Sequence, residues 1–192
     1  MTIFNIAEKQ QGFFTSFEAK QAGITDNNHV YHIRRGNWIR EWRGIYRLRD
    51  YPFQEDAKYA LWGVWSMNRK GDIQGVFSHE TALSLFELSD INPVKLHMTV
   101  PRTFRRHSKI PTVLKLHYST VMPTEYDDHG GYKVTKLFRT VADLIRCGTV
   151  SNEFIVQAVK EGLKRGILTN RQYEILKEMP RVGNTLIKIM KE

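Results

Sequence analysis

The fold of the N-terminal region is decided by the stretch Thr15-Ser-Phe-Glu-Ala-Lys-Gln-Ala-Gly-Ile-Thr25. Its first four residues match a capping box, in which the Thr15 hydroxyl and the Glu18 carboxylate each accept from the other residue's backbone N–H. The pattern predicts a helix from about 16 to 22 that ends at Gly23, and a second helix from about 26 to 35 that Thr25 caps. Two short helices joined by a tight turn are typical of a helix-turn-helix.

The flanking residues extend this motif on both sides. A short first helix is predicted between Thr2 and Gly12. After Gly36, segments 38–42 and 45–48 alternate apolar and polar side chains around a central Arg-Gly pair, which predicts a β-hairpin. A basic hairpin that directly follows the second helix of such a motif is a wing. We therefore predict a winged helix-turn-helix domain over residues 1–50.

The remainder of the chain predicts a second domain over residues 56–192, after a linker at 51–56. Helices are expected at about 56–69, 78–88, 140–147, 152–165, 170–178 and 182–191, and strands at 76–77, 95–100, 113–119 and 132–134. The predicted fold class is therefore α+β, with a mixed α+β domain whose C-terminal part is helical.

The charge of the chain points to a polyanion. The formal net charge is +9, from 29 Lys and Arg against 20 Asp and Glu. Residues 28–49 hold six Arg and one acid, and residues 94–120 hold six basic residues and no acid. No apolar run approaches the roughly 20 residues of a membrane span, and the first residues lack the basic n-region of a signal peptide. We expect a cytoplasmic protein without a membrane partner.

The second helix of the motif offers a face that can contact DNA. On a helical wheel, Val30 and Ile33 are expected to face the core. Asn bonds bidentately to adenine and Arg to guanine in the major groove, while hairpin arginines contact phosphates. The predicted DNA-binding residues are Asn28, Tyr31, His32, Arg34, Arg35, Arg40, Arg43 and Arg47.

Three other features contain residue types found in catalytic or metal sites, but their spacing supports neither kind of site. Ser78-His79-Glu80 cannot form a catalytic relay, because adjacent helical residues point in different directions, so a helix cap and a polar first turn explain them better. His97 and His117 lie in candidate neighbouring strands, yet no His-x-x-x-His helix or carboxylate partner supports a metal pair. The single cysteine, Cys147, lies in an apolar run and is expected to be a buried structural thiol. We assign no catalytic residue, metal or cofactor.

A second basic patch lies in the run Pro101-Arg-Thr-Phe-Arg-Arg-His107. It interleaves Phe104 with three arginines, which suits a nucleic-acid backbone or an acidic protein. A solvated loop explains it equally well, so both interpretations stay open.

Several motifs in order resemble the AbiEi family of antitoxins, which belong to bacterial abortive-infection toxin–antitoxin pairs. The motifs are Gly12-Phe-Phe-Thr15, Ala22-Gly-Ile-Thr25, Arg35-Gly36, Trp42-Arg-Gly-Ile-Tyr-Arg-Leu48, Phe77-Ser-His-Glu-Thr-Ala-Leu83, Met98-Thr-Val-Pro101 and Leu137-Phe-Arg-Thr-Val-Ala-Asp-Leu144. The resemblance spans nearly all of residues 1–150.

The resemblance implies a winged-helix domain that represses its own operon by binding promoter DNA. It also implies a C-terminal domain that counteracts a nucleotidyltransferase-like toxin, without a required stable complex. On this chain the antitoxin role would fall on residues from about 57 onward. The candidate antitoxin surface consists of Arg102, Arg105, Arg106 and Lys109.

Two alternatives from other classes remain. The first is an enzyme, a DNA-targeted nuclease or another phosphoester-acting protein that uses the N-terminal domain for targeting. The second is a non-catalytic interaction module, in which the hairpin binds protein instead of DNA.

Overall fold

A computed structural model describes residues 2–52, 54–106 and 108–191. Phe53 of the predicted linker and His107 of the second basic patch therefore lie outside the described residues. The chain divides into two compact units: the first comprises residues up to 75 together with 128–133, and the second comprises 76–127 and the residues from 134 onward. Each unit contains helices and strands, which confirms the predicted α+β class.

The first unit combines four helices with a three-stranded antiparallel sheet in the order β1-β3-β2. Its elements are α1 (Ile3–Glu8), β1 (Phe13–Thr15), α2 (Ser16–Gln21), α3 (Asp26–Arg34), β2 (Trp38–Trp42), β3 (Ile45–Leu48) and α4 (Ala57–Trp65). The predicted helices at the N-terminus and the hairpin are confirmed. β1 was not predicted, because a three-residue strand is defined by its pairing with β3 rather than by a local pattern.

The capping box and the turn position α2 against α3. The backbone N–H of Glu18 donates to the Thr15 hydroxyl at 3.1 Å, and the backbone N–H of Thr15 donates to the Glu18 carboxylate at 2.8 Å. Ala19 is fully buried, so α2 can approach its neighbours closely. Gly23 adopts φ +85, which a residue with a Cβ rarely adopts, and so allows the tight turn. Thr25 is the N-cap of α3, but its side chain makes no capping hydrogen bond.

Helix α4 belongs to the first unit, because it packs against β1 and β3. The Asp56 carboxylate, just before α4, accepts hydrogen bonds from the Tyr132 hydroxyl at 2.7 Å and from the Gln11 amide at 3.1 Å. A Cβ on Gly63 would collide with the backbone carbonyl of Gly131, so the glycine permits close packing of the two segments.

The boundary between the units therefore differs from the predicted one. The sequence places it in the linker at 51–56, whereas the first compact unit continues to residue 75 and includes the distant segment 128–133. The reason is a contact between segments about 70 residues apart in the chain, which local composition does not reveal.

Within the described residues, the second unit contains a five-stranded mixed sheet, five α-helices and a short 3-10 helix (Pro123–Glu125). Its elements are β4 (Val76–Phe77), α5 (His79–Phe86), β5 (Leu96–Val100), β6 (Leu114–Tyr118), β7 (Tyr126–Asp128), β8 (Lys133–Thr135), α6 (Leu137–Cys147), α7 (Asn152–Lys164), α8 (Asn170–Glu178) and α9 (Gly183–Ile189). The strand order is β6-β5-β4-β8-β7, with β5 parallel to β6 and antiparallel to β4. The predicted helical C-terminal part is confirmed.

The core of the second unit forms among α5 to α9. Its buried side chains include Leu83, Leu137, Leu144, Val159, Leu176 and Leu186. A Cβ on Gly162 would collide with Leu137, so the glycine lets α7 pack closely on α6. None of the helices in the described part of the chain has the length and apolar character that a membrane crossing requires.

Candidate nucleic-acid interface

The orientation of α3 is set by one buried histidine. His29 is 5% exposed and packs against the rings of Trp38 and Tyr46, with centroid distances of 5.4 and 5.6 Å. Val30 is 49% exposed, so the expectation that Val30 faces the core is wrong. Ile33, the other predicted core position, is partly buried and packs against this cluster.

The reason for this difference lies in the turn. The backbone N–H of Ile24 donates to the carbonyl of Ala19 at 2.9 Å, which closes a short turn between the two helices. A turn of this length brings the sixth residue after Gly23 to the core. The sequence has His29 at that place, and the apolar Val30 next to it suggested a longer turn. In the structure, the imidazole of His29 occupies this core position, where an aliphatic side chain was expected.

The exposed face of α3 is centred opposite His29. With about 100° per residue, Asn27, Tyr31 and Arg34 point away from the core. The exposed residues of this face are Asn27, Asn28, Val30, Tyr31, Arg34 and Arg35. The guanidinium of Arg35 lies 5.4 Å from the centroid of the Tyr31 ring, a cation–π contact that orders both side chains on the surface. Asn27 and Val30 are not among the residues predicted for this face. Placing the sixth residue after Gly23 in the core would have predicted both as exposed.

His32 takes a structural position. Its ring is half-buried and stacks on Trp38 at 4.5 Å with an interplanar angle of 14°. Its Nδ1 lies 3.3 Å from the Asn37 side-chain amide nitrogen. His32 therefore holds α3 against the start of β2, and the predicted DNA contact from it has to compete with this packing.

The hairpin presents two of its three predicted arginines. Arg40 and Arg43 are exposed, and Arg43 lies at the tip beside Gly44, whose φ of +73 allows the tight turn. Arg47 differs, because its Nε donates to the Glu41 carboxylate at 2.8 Å and its side chain is only 15% exposed. A phosphate would have to displace Glu41, so Arg47 is not an available phosphate contact in this arrangement.

The remaining predicted arginines are exposed and have no acidic partner within the described residues. Within the described residues, Arg34, Arg35, Arg40 and Arg43 form no ion pair. Nearby Lys20 is paired with Asp26 at 2.6 Å and adds no unbalanced charge. The helix and the hairpin thus carry four uncompensated positive charges, the electrostatic feature that phosphate binding requires.

The second basic patch is a loop that is ordered by its own contacts. Phe104 is 3% exposed and anchors it, while Arg102, Arg105, Arg106 and Lys109 are exposed. An Nη1 of Arg105 donates to the carbonyls of Arg102 and Phe104 at 3.0 and 2.8 Å. The patch is therefore a defined positive surface of the second unit.

No protein-family model matches the chain, and no curated protein sequence matches it significantly.

Proposed function

We propose that this protein is a DNA-binding antitoxin and transcriptional autorepressor of a bacterial toxin–antitoxin operon. In this proposal the first unit is a winged helix-turn-helix, α3 enters the major groove of promoter DNA, and the β2–β3 hairpin is the wing. The second unit counteracts a nucleotidyltransferase-like toxin in the cytoplasm. The antitoxin part rests on the resemblance to the AbiEi family, and the DNA-binding part rests on the geometry of α3 and the hairpin.

The observation that carries DNA binding is the contrast between the two faces of α3. One face is anchored by His29 in an aromatic core, which fixes the rotation of the helix. The opposite face is exposed and carries amides, a tyrosine and two arginines, with no acid among them. Side chains of these types donate and accept hydrogen bonds at base edges and phosphates.

The exposed residues divide into two roles. Asn28 and Arg35 are the candidates for base contacts, since Asn suits adenine and Arg suits guanine in the major groove. Arg40 and Arg43 on the hairpin are candidates for phosphate contacts, which supply affinity and salt dependence but little sequence discrimination. Tyr31 and Arg34, at the centre of the exposed face, can serve either partner.

The test is binding of the full-length protein to a fluorescent duplex from the promoter of its own operon, across several salt concentrations. Affinity should fall steeply with salt, with a log–log slope that reflects several phosphate contacts. The double variant Arg35→Ala/Arg43→Ala should lose specific binding. Arg47→Ala is the matched control, because Arg47 is already paired with Glu41. No binding at low salt would overturn the proposal and favour a protein-interaction module.

The antitoxin role is tested separately by co-expression. If the neighbouring reading frame encodes a nucleotidyltransferase-like protein, its expression should arrest growth, and this chain should restore growth. A variant with Arg102, Arg105 and Lys109 changed to Ser tests the candidate surface. Continued growth arrest in the presence of the intact chain would contradict the antitoxin role and leave the DNA-binding result unaffected.

A further inference from the structure

A cluster of nitrogen and sulfur donors lies within the second unit. His79 opens α5, His117 lies in β6, and Cys147 ends α6. One donor atom from each of these three side chains lies within 4.8 Å of the other two. His79 is buried, while His117 and Cys147 are half-buried. Three segments distant in sequence thus converge on one small volume that solvent can reach.

The two histidines of this cluster also lie close to polar side chains of the second unit. His117 Nε2 lies 3.4 Å from His97 Nδ1, and His97 Nε2 lies 3.6 Å from a Glu80 carboxylate oxygen. His79 Nδ1 lies 2.9 Å from the Ser78 hydroxyl, which in turn lies 2.7 Å from the Thr99 hydroxyl.

These contacts are compatible with one tautomer of each ring that leaves a lone pair for a ligand. If Glu80 accepts from His97, then His97 Nδ1 accepts from His117 Nε2–H, and the lone pair of His117 is left on Nδ1. If His79 donates its Nδ1–H to Ser78, its lone pair is left on Nε2. Partners of this kind orient the imidazoles in protein metal sites.

We propose that His79, His117 and Cys147 bind a divalent cation of the Zn²⁺ type, with His97 as a positioning residue for His117. Two imidazoles and a thiolate suit this borderline-soft ion, whereas Mg²⁺ and Ca²⁺ require oxygen ligands. Three protein ligands leave the fourth tetrahedral position to water, which the half-buried side of the cluster can supply.

Binding changes the cluster in two ways. The Cys147 thiol releases its proton to solvent as the sulfur–metal bond forms, so one proton appears for each ion bound. The rings of His79 and His117 stack at 3.7 Å with an interplanar angle of 10°. Lone pairs in the planes of two parallel rings do not converge, so both nitrogens can bind one ion only if the rings tilt relative to each other.

The first experiment titrates the metal-free full-length protein with Co²⁺, a coloured substitute for Zn²⁺. A thiolate–Co²⁺ charge-transfer band and tetrahedral d–d bands should saturate at one ion per chain, and Zn²⁺ should displace them. Cys147→Ser should lose the charge-transfer band, and His79→Gln and His117→Gln should lose tetrahedral binding. His129→Gln, which changes a histidine outside the cluster, should bind like the parent. A Co²⁺ spectrum that Cys147→Ser leaves unchanged would overturn the proposal.

The positioning role of His97 predicts a different pattern. His97→Ala should weaken Co²⁺ binding by about ten- to a hundredfold while leaving the shape of the saturated spectrum unchanged. His97→Asn, whose side-chain oxygen can replace Nδ1 as acceptor, should recover part of the affinity. Equal affinity in the parent and His97→Ala would remove His97 from the proposal.

A second measurement uses the unaltered chain and so does not depend on the folding of a variant. Zn²⁺ should slow alkylation of Cys147 by iodoacetamide at least tenfold, and EDTA should restore the rate. An alkylation rate that Zn²⁺ does not change would overturn the proposal. Neither experiment involves DNA, so its failure is distinguishable from a failure of the proposed function.

Discussion

Two regions of the molecule use ionisable side chains in opposite ways. The first is the exposed face of α3 together with the β2–β3 hairpin, and the second is the histidine cluster of the second unit. On the first, four arginines are exposed and form no ion pair within the described residues. In the second, three histidines are buried or half-buried and neutral at pH 7. Exposed charge attracts a polyanion over a distance, whereas neutral buried imidazoles offer directed lone pairs. The two surfaces therefore suit different ligands.

The ion pairs of Arg139 in the second unit show what a buried charge requires. Arg139, which is 9% exposed, donates to Asp143 at 2.8 Å and to Glu125 at 2.9 Å, and also to the carbonyl of Thr120. Burial raises the pKa of Asp143, although its ion pair with Arg139 acts in the opposite direction. Charge can be buried here only because every partner is present.

The largest expected effect comes from removing that arginine. Arg139→Leu leaves the Asp143 carboxylate buried without its main partner, so we expect a loss of about 3–5 kcal/mol of stability. Urea unfolding followed by circular dichroism measures it, and hydrogen exchange of α6 peptides locates it. Arg146→Ala is the control: its side chain is 41% exposed and lies 3.8 Å from Asp143, so less than about 1 kcal/mol should be lost. Equal losses in both variants would contradict the distinction between buried and exposed charge.

The second effect is the dependence of stability on acid pH that the histidine cluster produces. The folded-state pKa values of about 3 to 4 lie below the ordinary value of 6.5, so between these limits the unfolded chain binds more protons than the folded one. This contribution to stability is therefore full above pH 6.5 and is lost as the pH falls towards 4. Urea unfolding between pH 7 and pH 4 measures it. His117→Gln should flatten the dependence, and an unchanged slope would place the titration elsewhere.

The third effect concerns base contacts on α3. Arg35→Ala should reduce the preference for promoter DNA over a scrambled duplex by about 1–3 kcal/mol, because the proposed bidentate contact to a base would be lost. The stability of the chain should change by less than about 1 kcal/mol, since the side chain is exposed and loses only its cation–π contact with Tyr31. Competition titrations with the two duplexes measure the preference. An unchanged preference would move the base-contact role to other residues of the face.

The fourth effect separates two arginines of the same hairpin. Arg43→Ala should weaken binding to every duplex and reduce the salt slope by about 1, as expected for one phosphate contact. Arg47→Ala should leave the slope nearly unchanged, because Glu41 already neutralises Arg47. Equal slope changes would show that DNA displaces Glu41. They would contradict the distinction between paired and unpaired arginines.

The smallest effect concerns the histidine inside the core of the first unit. Within the described residues, the buried Nε2 of His29 has no hydrogen-bond partner. His29→Leu removes this polar atom and keeps a side chain of similar size, so stability should rise by up to about 1 kcal/mol. Thermal unfolding measures the change, and DNA binding should persist because α3 keeps its rotation. A clear loss of stability would show that the ring contacts with Trp38 and Tyr46 outweigh the unpaired nitrogen.

Much of the candidate interface was predictable because its signals are local. The capping box at Thr15, the glycine turn and the Arg-Gly hairpin each act within a few residues, and all three have the predicted form. The rotation of α3 was not predicted, because the choice between His29 and Val30 depends on how the turn closes. The pairing of Arg47 with Glu41 was missed as well, since it depends on the register of the strands.

By itself the sequence determined the α+β class, the positions of most helices and strands, and the concentration of positive charge in two segments. Periodicity, caps and composition act over short distances along the chain, so they can be recognised without knowledge of the fold. Only the tertiary structure decided that α4 and residues 128–133 join the first unit, and that His79 and Cys147 meet His117. These contacts join segments tens of residues apart, and such pairings are fixed by packing of the whole core rather than by any local pattern.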